Sequence, residues 1–221
     1  MAKVAAVFDI DGTLVTFKFD VAGTRKALIS ELASRGFDTD GLGMKTPTQQ
    51  IVDHARSQVG SGKNPNEFLE LRKELYSILD GFELESAGAA SIFPETRGTL
   101  DRLLSNGVRL AVLTNSGKKA ASELLKRCGI SDRFEFVLTR DDVDAMKPSP
   151  EGLQKAVSLL GIPARDVYYV GDSLYDVSAG KRAGVKVVAV ATGNFSEAAL
   201  KDEGADYVIS SISALAGVLG A

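Results

Sequence analysis

Asp9 and Asp11 stand two residues apart and are followed directly by Gly12. In a fully extended strand that spacing puts both carboxylates on one face, and the glycine lets the chain turn tightly after them. Carboxylates that converge on one point repel unless a cation neutralises them or one is protonated, and both solutions serve phosphoryl transfer. Alone, the segment is better explained by a strand that runs into an Asp-Gly turn.

Three later segments change that balance. Leu113-Thr114-Asn115-Ser116 ends an apolar run with a hydroxyl just before a predicted helix, whose free N–H groups favour an anion; by itself it reads as an ordinary helix cap. Lys147-Pro148-Ser149-Pro150 sets a lysine before a stiff, helix-initiating stretch, where a solvated loop lysine is the plain alternative. Val170-Gly171-Asp172-Ser173 ends another apolar run, with Asp176 four residues after Asp172, and an acidic helix start would account for that pair. All four segments fall at the C-terminal edge of a predicted strand, so all four can face one crevice.

The elements that must position them follow from the pattern around them. Residues 3–8 form a short valine-bearing apolar run, as expected of a buried parallel strand. From Gly107 onward strands and helices alternate: strands at 108–113, 134–138, 167–170, 185–190 and 207–209, and helices at 118–127, 151–160, 175–183, 197–202 and 214–219. Such alternation predicts an α/β, Rossmann-like parallel sheet with helices on both faces. Residues 16–91 break the rhythm. Val21, Ala22, Ala27, Leu28 and Leu32, then Phe68, Leu71, Leu75 and Leu79, recur at helical spacing and mark two amphipathic helices, with Ile51 and Val52 suggesting another. The reading is a core of residues 1–15 and 92–221 that carries a helical insert of residues 16–91. Phe17-Lys18-Phe19 and Ala87-Gly88-Ala89-Ala90 are its expected hinges.

Composition narrows the partner. The chain has 221 residues, enough for an ordinary α/β domain with an insert. Its 26 basic and 29 acidic residues are well mixed, for a formal charge of −3, and Trp is absent. That argues against nucleic acid and anionic lipid and leaves a small molecule as the expected partner. Cys128 is the one cysteine, so no internal disulfide can form, and one thiol with one histidine cannot build a Cys/His zinc site. No secretory leader and no membrane span of about 20 apolar residues is expected. The expectation is a cytoplasmic protein, monomer or homodimer.

Taken together, Asp9-Ile10-Asp11-Gly12-Thr13, Thr114, Lys147 and Gly171-Asp172 with Asp176 resemble the four motifs of the haloacid dehalogenase superfamily, in order and spacing. The resemblance covers nearly the whole chain, and the insert looks like the helical cap of the subgroup that includes phosphoglycolate phosphatases and β-phosphoglucomutase. It implies roles residue by residue. Asp9 would attack phosphorus and form an aspartyl-phosphate, and Asp11 would act as general acid and then base. Thr114 and Lys147 would hold phosphoryl oxygens. Asp9, Asp172 and the backbone carbonyl of Asp11 would hold Mg²⁺, with Asp176 supporting that shell or reaching Lys147. Gly12, Thr13, Asn115, Ser116 and Ser173 are further candidates for phosphate or outer contacts.

Other features weigh less. Gly60-Ser61-Gly62-Lys63-Asn64 has the flavour of a nucleotide loop but lacks its leading glycine and metal-binding hydroxyl, so it reads as an insert loop. His54 reads as a surface or packing residue, Cys128 as a helix-end core residue, and Lys118, Lys119, Arg25, Lys26, Arg72 and Lys73 as exposed. An acid at Asp11 argues for phosphate chemistry over dehalogenation, because an alkoxide leaving group needs a proton. The expected function is a magnesium-dependent phosphatase acting on a small phosphorylated metabolite, 2-phosphoglycolate first. The alternatives are a phosphomutase of the β-phosphoglucomutase type and a non-enzymatic module that binds a phosphoryl group or cation. Thr16-Phe17 departs from the acidic and small residues of many relatives, so the insert's substrate contacts cannot be transferred.

Overall fold

The computed structural model describes residues 4–16, 19–59 and 65–221. The chain divides into two compact units, Met1–Phe17 with Ala89–Ala221, and Lys18–Gly88.

In the larger unit β1 (Ala5–Phe8) is followed by the two-residue β2 (Val15–Thr16). The smaller unit holds α1 (Val21–Ser34), α2 (Thr48–Val59) and α3 (Pro65–Ala87). The larger unit then continues through β3 (Ser91–Ile92), α4 (Thr96–Ser105), β4 (Arg109–Leu113), α5 (Lys118–Arg127), β5 (Val137–Leu138), α6 (Glu151–Leu160), β6 (Val167–Gly171), α7 (Leu174–Ala183), β7 (Lys186–Val190), α8 (Glu197–Asp202), β8 (Tyr207–Ile209) and α9 (Leu215–Leu219).

Six strands form one sheet in the order β5-β4-β1-β6-β7-β8, and every pairing in it is parallel. The predicted α/β class is the one observed. All four residues of β1 are buried, so it is covered on both faces. On one face Ala5, Val7, Ala111, Leu113, Val167 and Tyr169 pack against Leu153, Ala156 and Leu160 of α6 and Ala179 of α7. These alternate along each strand, as a pleated strand requires. Val187 and Ala189 of β7 extend the layer against Val177 of α7 and Leu200 of α8.

The order also fixes where a site can form. From β1 the chain steps outward to β4 and β5, then returns to the other side of β1 for β6, β7 and β8. The strand order therefore reverses at β1, where the loops after neighbouring strands diverge and leave a crevice at the carboxyl ends.

Three features depart from the sequence reading. β2 and β3 pair antiparallel, Val15 with Ile92 and Thr16 with Ser91, so residues 16 and 91 form a small ribbon in the larger unit. α4 has no counterpart in the predicted elements. Ala87 closes α3 and is buried, so the expected hinge there begins only at Gly88. Phe17 and Lys18 of the other expected hinge lie outside the described residues, as do residues 60–64 of the glycine-bearing loop.

The smaller unit is held by aliphatic packing. Leu28, Leu32, Ile51, Val52, Ala55, Leu71, Leu75 and Leu79 are buried, each worth roughly 1.5–3 kcal/mol for the larger side chains. Val21 and Ala22, expected on the apolar stripe, are exposed. Asp20 caps α1 by accepting from the Gly23 N–H at 2.8 Å. His54 Nε2 lies 2.7 Å from the Asp38 carbonyl, a local loop contact.

Candidate functional site

The four motif segments meet at the carboxyl ends of four adjacent strands. Asp9 follows β1, Thr114 follows β4, Lys147 lies in the loop after β5, and Asp172 follows β6. Residues up to 159 positions apart thereby touch.

At the centre the ammonium of Lys147 donates to Asp9 Oδ1 and to Asp176 Oδ1, each at 2.7 Å. All three residues are buried. The lysine is positioned through its backbone. The Asn115 side chain accepts from the Lys147 N–H at 2.9 Å and donates to the Lys147 carbonyl at 3.1 Å. The side chain of Asn115, a candidate phosphate contact, is thus spent on the lysine's own peptide groups.

Asp11 takes a different neighbour. β1 stops at Phe8, so the strand geometry that would align Asp9 and Asp11 on one face has ended before either residue. Ser116 Oγ donates to Asp11 Oδ2 at 2.7 Å, and Asp11 Oδ1 is buried with no hydrogen-bond partner. The Ser116 N–H in turn donates to Thr114 Oγ1 at 3.1 Å. Gly12, in the left-handed region at φ 79°, makes the turn, and Thr13 Oγ1 donates to Asp172 Oδ1 at 3.3 Å.

Asp176 is saturated. Lys147 Nζ and the Tyr169 hydroxyl (2.8 Å) donate to its Oδ1, and the Ser173 N–H (3.0 Å) and Oγ (2.5 Å) donate to its Oδ2. A carboxylate has about four lone-pair sites, and these four donors use them. Ser173 caps α7 in the same exchange, since its Oγ also accepts from the Asp176 N–H.

Electrostatics follow from one ammonium among four carboxylates. Burial opposes charge on Asp176, but Lys147 and the bonds from Ser173 and Tyr169 hold its carboxyl below the usual range. Burial likewise opposes the charge of Lys147, yet Asp176 and Asp9 keep it well above an ordinary lysine. The remaining acids are left in excess. Burial, with the neighbouring acids, raises Asp9 well above a normal carboxylate despite Lys147. Burial lifts Asp11 to about 6 against the Ser116 bond, and burial with the charge of Asp176 lifts Asp172 to about 7.

That excess is the condition a cation relieves. Carboxylate oxygens of Asp9, Asp172 and Asp176 lie within 4.8 Å of one another, a hard all-oxygen donor set. With Asp176 saturated, Asp9 and Asp172 are the two of these that remain to offer oxygens. The residues present fit a divalent cation such as Mg²⁺.

Two supporting residues were not legible in the sequence. Tyr169 follows Tyr168 in the fully buried β6, and its ring centroid lies 5.6 Å from Lys147 Nζ while its hydroxyl holds Asp176. Arg140, fully buried, donates from its guanidinium to the Asn115 carbonyl at 3.3 Å and from its backbone N–H to the Ser116 carbonyl at 3.3 Å. A tyrosine inside a buried strand was the available signal for the first; the second gave none. Cys128 is buried at the end of α5.

With this geometry in place, comparison with known proteins is direct. The family model for haloacid dehalogenase-like hydrolases matches residues 4–184. A phosphoglycolate phosphatase of Neisseria meningitidis is 31% identical over 94% of this chain and 90% of its own length. A pyrophosphatase of Halalkalibacterium halodurans is 34% identical over 55% of this chain and 57% of its own. A solved hydrolase from Pseudomonas syringae, 22% identical, superposes with a TM-score of 0.68 over 98% of this chain and 97% of that one, a likeness of fold. The chain belongs to the haloacid dehalogenase-like hydrolase family. Within it the chain is an enzyme of the phosphatase kind. Among the described residues no helix is long and apolar enough to cross a membrane.

Proposed function

We propose that this enzyme hydrolyses a small phosphomonoester in two displacements at Asp9, with Mg²⁺ bound, and that 2-phosphoglycolate is the first substrate to test. One observation carries the reading: Asp9 is a buried carboxylate paired with Lys147 at the strand-order reversal, while a second acid, Asp11, is held separately by Ser116.

Asp9 attacks phosphorus, a bond forms from its carboxylate oxygen, and the bond to the leaving alkoxide breaks. Asp11 gives its proton to that alkoxide, and then takes a proton from the water that cleaves the aspartyl-phosphate. Ser116 holds one oxygen of Asp11 and leaves Oδ1 for this exchange. Lys147 lowers the repulsion between Asp9 and an incoming dianion and, with the Thr114 hydroxyl, holds phosphoryl oxygens. Thr114 accepts from the Ser116 N–H and so keeps its own proton for donation. Gly12, Thr13 and Ser116 line the phosphate side, Asn115 acts by holding the Lys147 backbone, and Ser173 and Asp176 are in support. Asp9, Asp172 and the Asp11 backbone carbonyl would hold Mg²⁺, which supplies charge neutralisation for the phosphoryl group. The helical unit, residues 18–88, is the part expected to recognise the leaving group, moving as a lid.

Similarity to a phosphoglycolate phosphatase over most of both chains supports the substrate choice. The test is phosphate release from a panel that includes 2-phosphoglycolate, hexose phosphates and pyrophosphate, with Mg²⁺ or EDTA, in wild type and Asp9→Asn. Magnesium-dependent release lost in the variant is expected. Isomerisation of a hexose phosphate without release would instead identify a mutase, and turnover by Asp9→Asn would overturn the nucleophile.

A further inference from the structure

Between β7 and α8 the chain makes a turn that belongs to none of the four motif segments. Gly193 in this turn does not have positive φ, so its backbone makes no demand for glycine. Space does. A Cβ on Gly193 would lie 1.8 Å from Oδ2 of Asp172 and 2.8 Å from its Cγ, far inside van der Waals contact. A Cβ on Gly12 would lie 2.3 Å from the same oxygen and 2.9 Å from Oδ1. The Asp172 carboxylate is thus confined between two glycine backbones, with Thr13 donating to its Oδ1. The two backbones are themselves tied together: Thr192 Oγ1 donates to the Gly12 carbonyl at 2.5 Å.

We propose that the β7–α8 turn is a fifth part of the site, in which Gly193 and Thr192 are positioning residues that set the orientation of Asp172 and through it the affinity for Mg²⁺. The inference rests on the metal reading above. Thr192 joins the two walls, and Gly193 supplies the second wall at a distance only a bare α-carbon allows. When a methyl group is added at position 193, something must move. The far end of the Asp172 side chain moves most cheaply, since Gly12 is fixed by Thr192 and by its own N–H bond to the Val15 carbonyl at 2.9 Å. The chain therefore still folds, and what is lost is the placement of one carboxylate. Neighbours that orient metal ligands commonly change metal affinity about 10–100-fold when altered.

The experiment is calorimetric titration of the full chain with MgCl₂ in the absence of substrate, paired with thermal unfolding in EDTA. Gly193→Ala is expected to weaken Mg²⁺ binding by about tenfold or more, with the unfolding midpoint in EDTA within a few degrees of wild type. Thr192→Val is expected to weaken it less, about threefold to tenfold, and Thr192→Ser to restore it, because serine keeps the donor to Gly12. Gly217→Ala, where an added Cβ meets nothing within 4 Å, serves as the control and is expected to bind like wild type. Wild-type affinity in Gly193→Ala would overturn the inference. If that variant does not fold, wild-type affinity in Thr192→Val overturns it instead. A wild-type chain that binds no Mg²⁺ would fail the metal reading itself, and this inference with it.

Discussion

The strand-end cluster of the larger unit and the three-helix unit bury side chains of opposite kinds. At the strand ends Asp9, Thr13, Thr114, Ser116, Arg140, Lys147, Asp172 and Asp176 are all buried. In residues 18–88 the buried set is mainly Leu, Ile, Val and Ala, with Thr24, Gln49 and Glu83 as the buried polar residues among those described. Burying polar groups costs free energy unless each finds a partner, so a polar cluster persists where its bonds are complete or where its incompleteness has a use. Within the cluster the same contrast recurs between two acids. Asp176 has four donors and a depressed pKa, whereas Asp172 has one 3.3 Å bond from Thr13 and a carboxyl raised to about 7. The lesson is that Asp176 is satisfied by protein donors, Lys147 among them, whereas Asp172 keeps oxygen capacity that the proposed cation would use.

The largest effect expected is on chemistry. Asp9→Asn keeps the shape of the side chain but cannot form the aspartyl-phosphate, and steady-state assays are expected to show a fall in kcat of at least about a thousandfold. Near-normal kcat would erase the distinction between the two regions.

Next comes the pair of acids. Asp176→Ala strips Lys147 of one of its two carboxylates in a buried setting and is expected to cost about 3–5 kcal/mol in urea unfolding. Asp172→Ala in metal-free buffer is expected to cost less than about 1 kcal/mol, since a carboxyl whose pKa is raised by burial opposes folding when ionised. Equal losses for the two variants would contradict the contrast.

In the helical unit, Leu75→Ala is expected to cost about 2–5 kcal/mol through the cavity it leaves, while Mg²⁺ affinity stays at the wild-type value. A matching loss of Mg²⁺ affinity would mean that the two units do not divide packing from chemistry.

The smallest effect belongs to a partly exposed ion pair that is part of neither. Asp206 accepts from Lys181 Nζ and from the Val187 N–H, each at 2.7 Å, and although burial opposes it, these bonds hold its carboxyl below the ordinary 3.8. A depressed carboxyl contributes stability above its unfolded pKa and loses that contribution as pH falls through the folded value. Asp206→Asn is therefore expected to lower stability by up to about 1 kcal/mol at neutral pH, discounted for exposure, with the difference closing in acid. A difference that widened in acid would reverse the assignment.

Much of the site was legible because buried parallel strands read as apolar runs, and Asp9, Thr114 and Asp172 each interrupt such a run at its end. The alternation from residue 107 onward carried the fold class for the same reason. What escaped has a physical cause in each case. β2 and β3 have two residues each, too few for any period to register. α4 begins with Thr-Arg-Gly-Thr, a weak helical start whose stability comes from packing against β4 and α9. Tyr169, Arg140 and Gly193 matter through neighbours 7, 25 and 21 residues away, and local spacing carries no record of such contacts. Asp11 was expected to share a face with Asp9, but the strand ended first and Ser116, 105 residues on, became its partner.

The most direct test of the account is to quench the enzyme in acid during turnover of whichever panel substrate it hydrolyses, reduce with borohydride, and sequence the peptide that contains residue 9 by mass spectrometry. Attack by Asp9 predicts homoserine at that position, formed by reduction of the aspartyl-phosphate, and none in Asp9→Asn. Turnover with no reducible adduct at Asp9, or with the adduct on another residue, would contradict it.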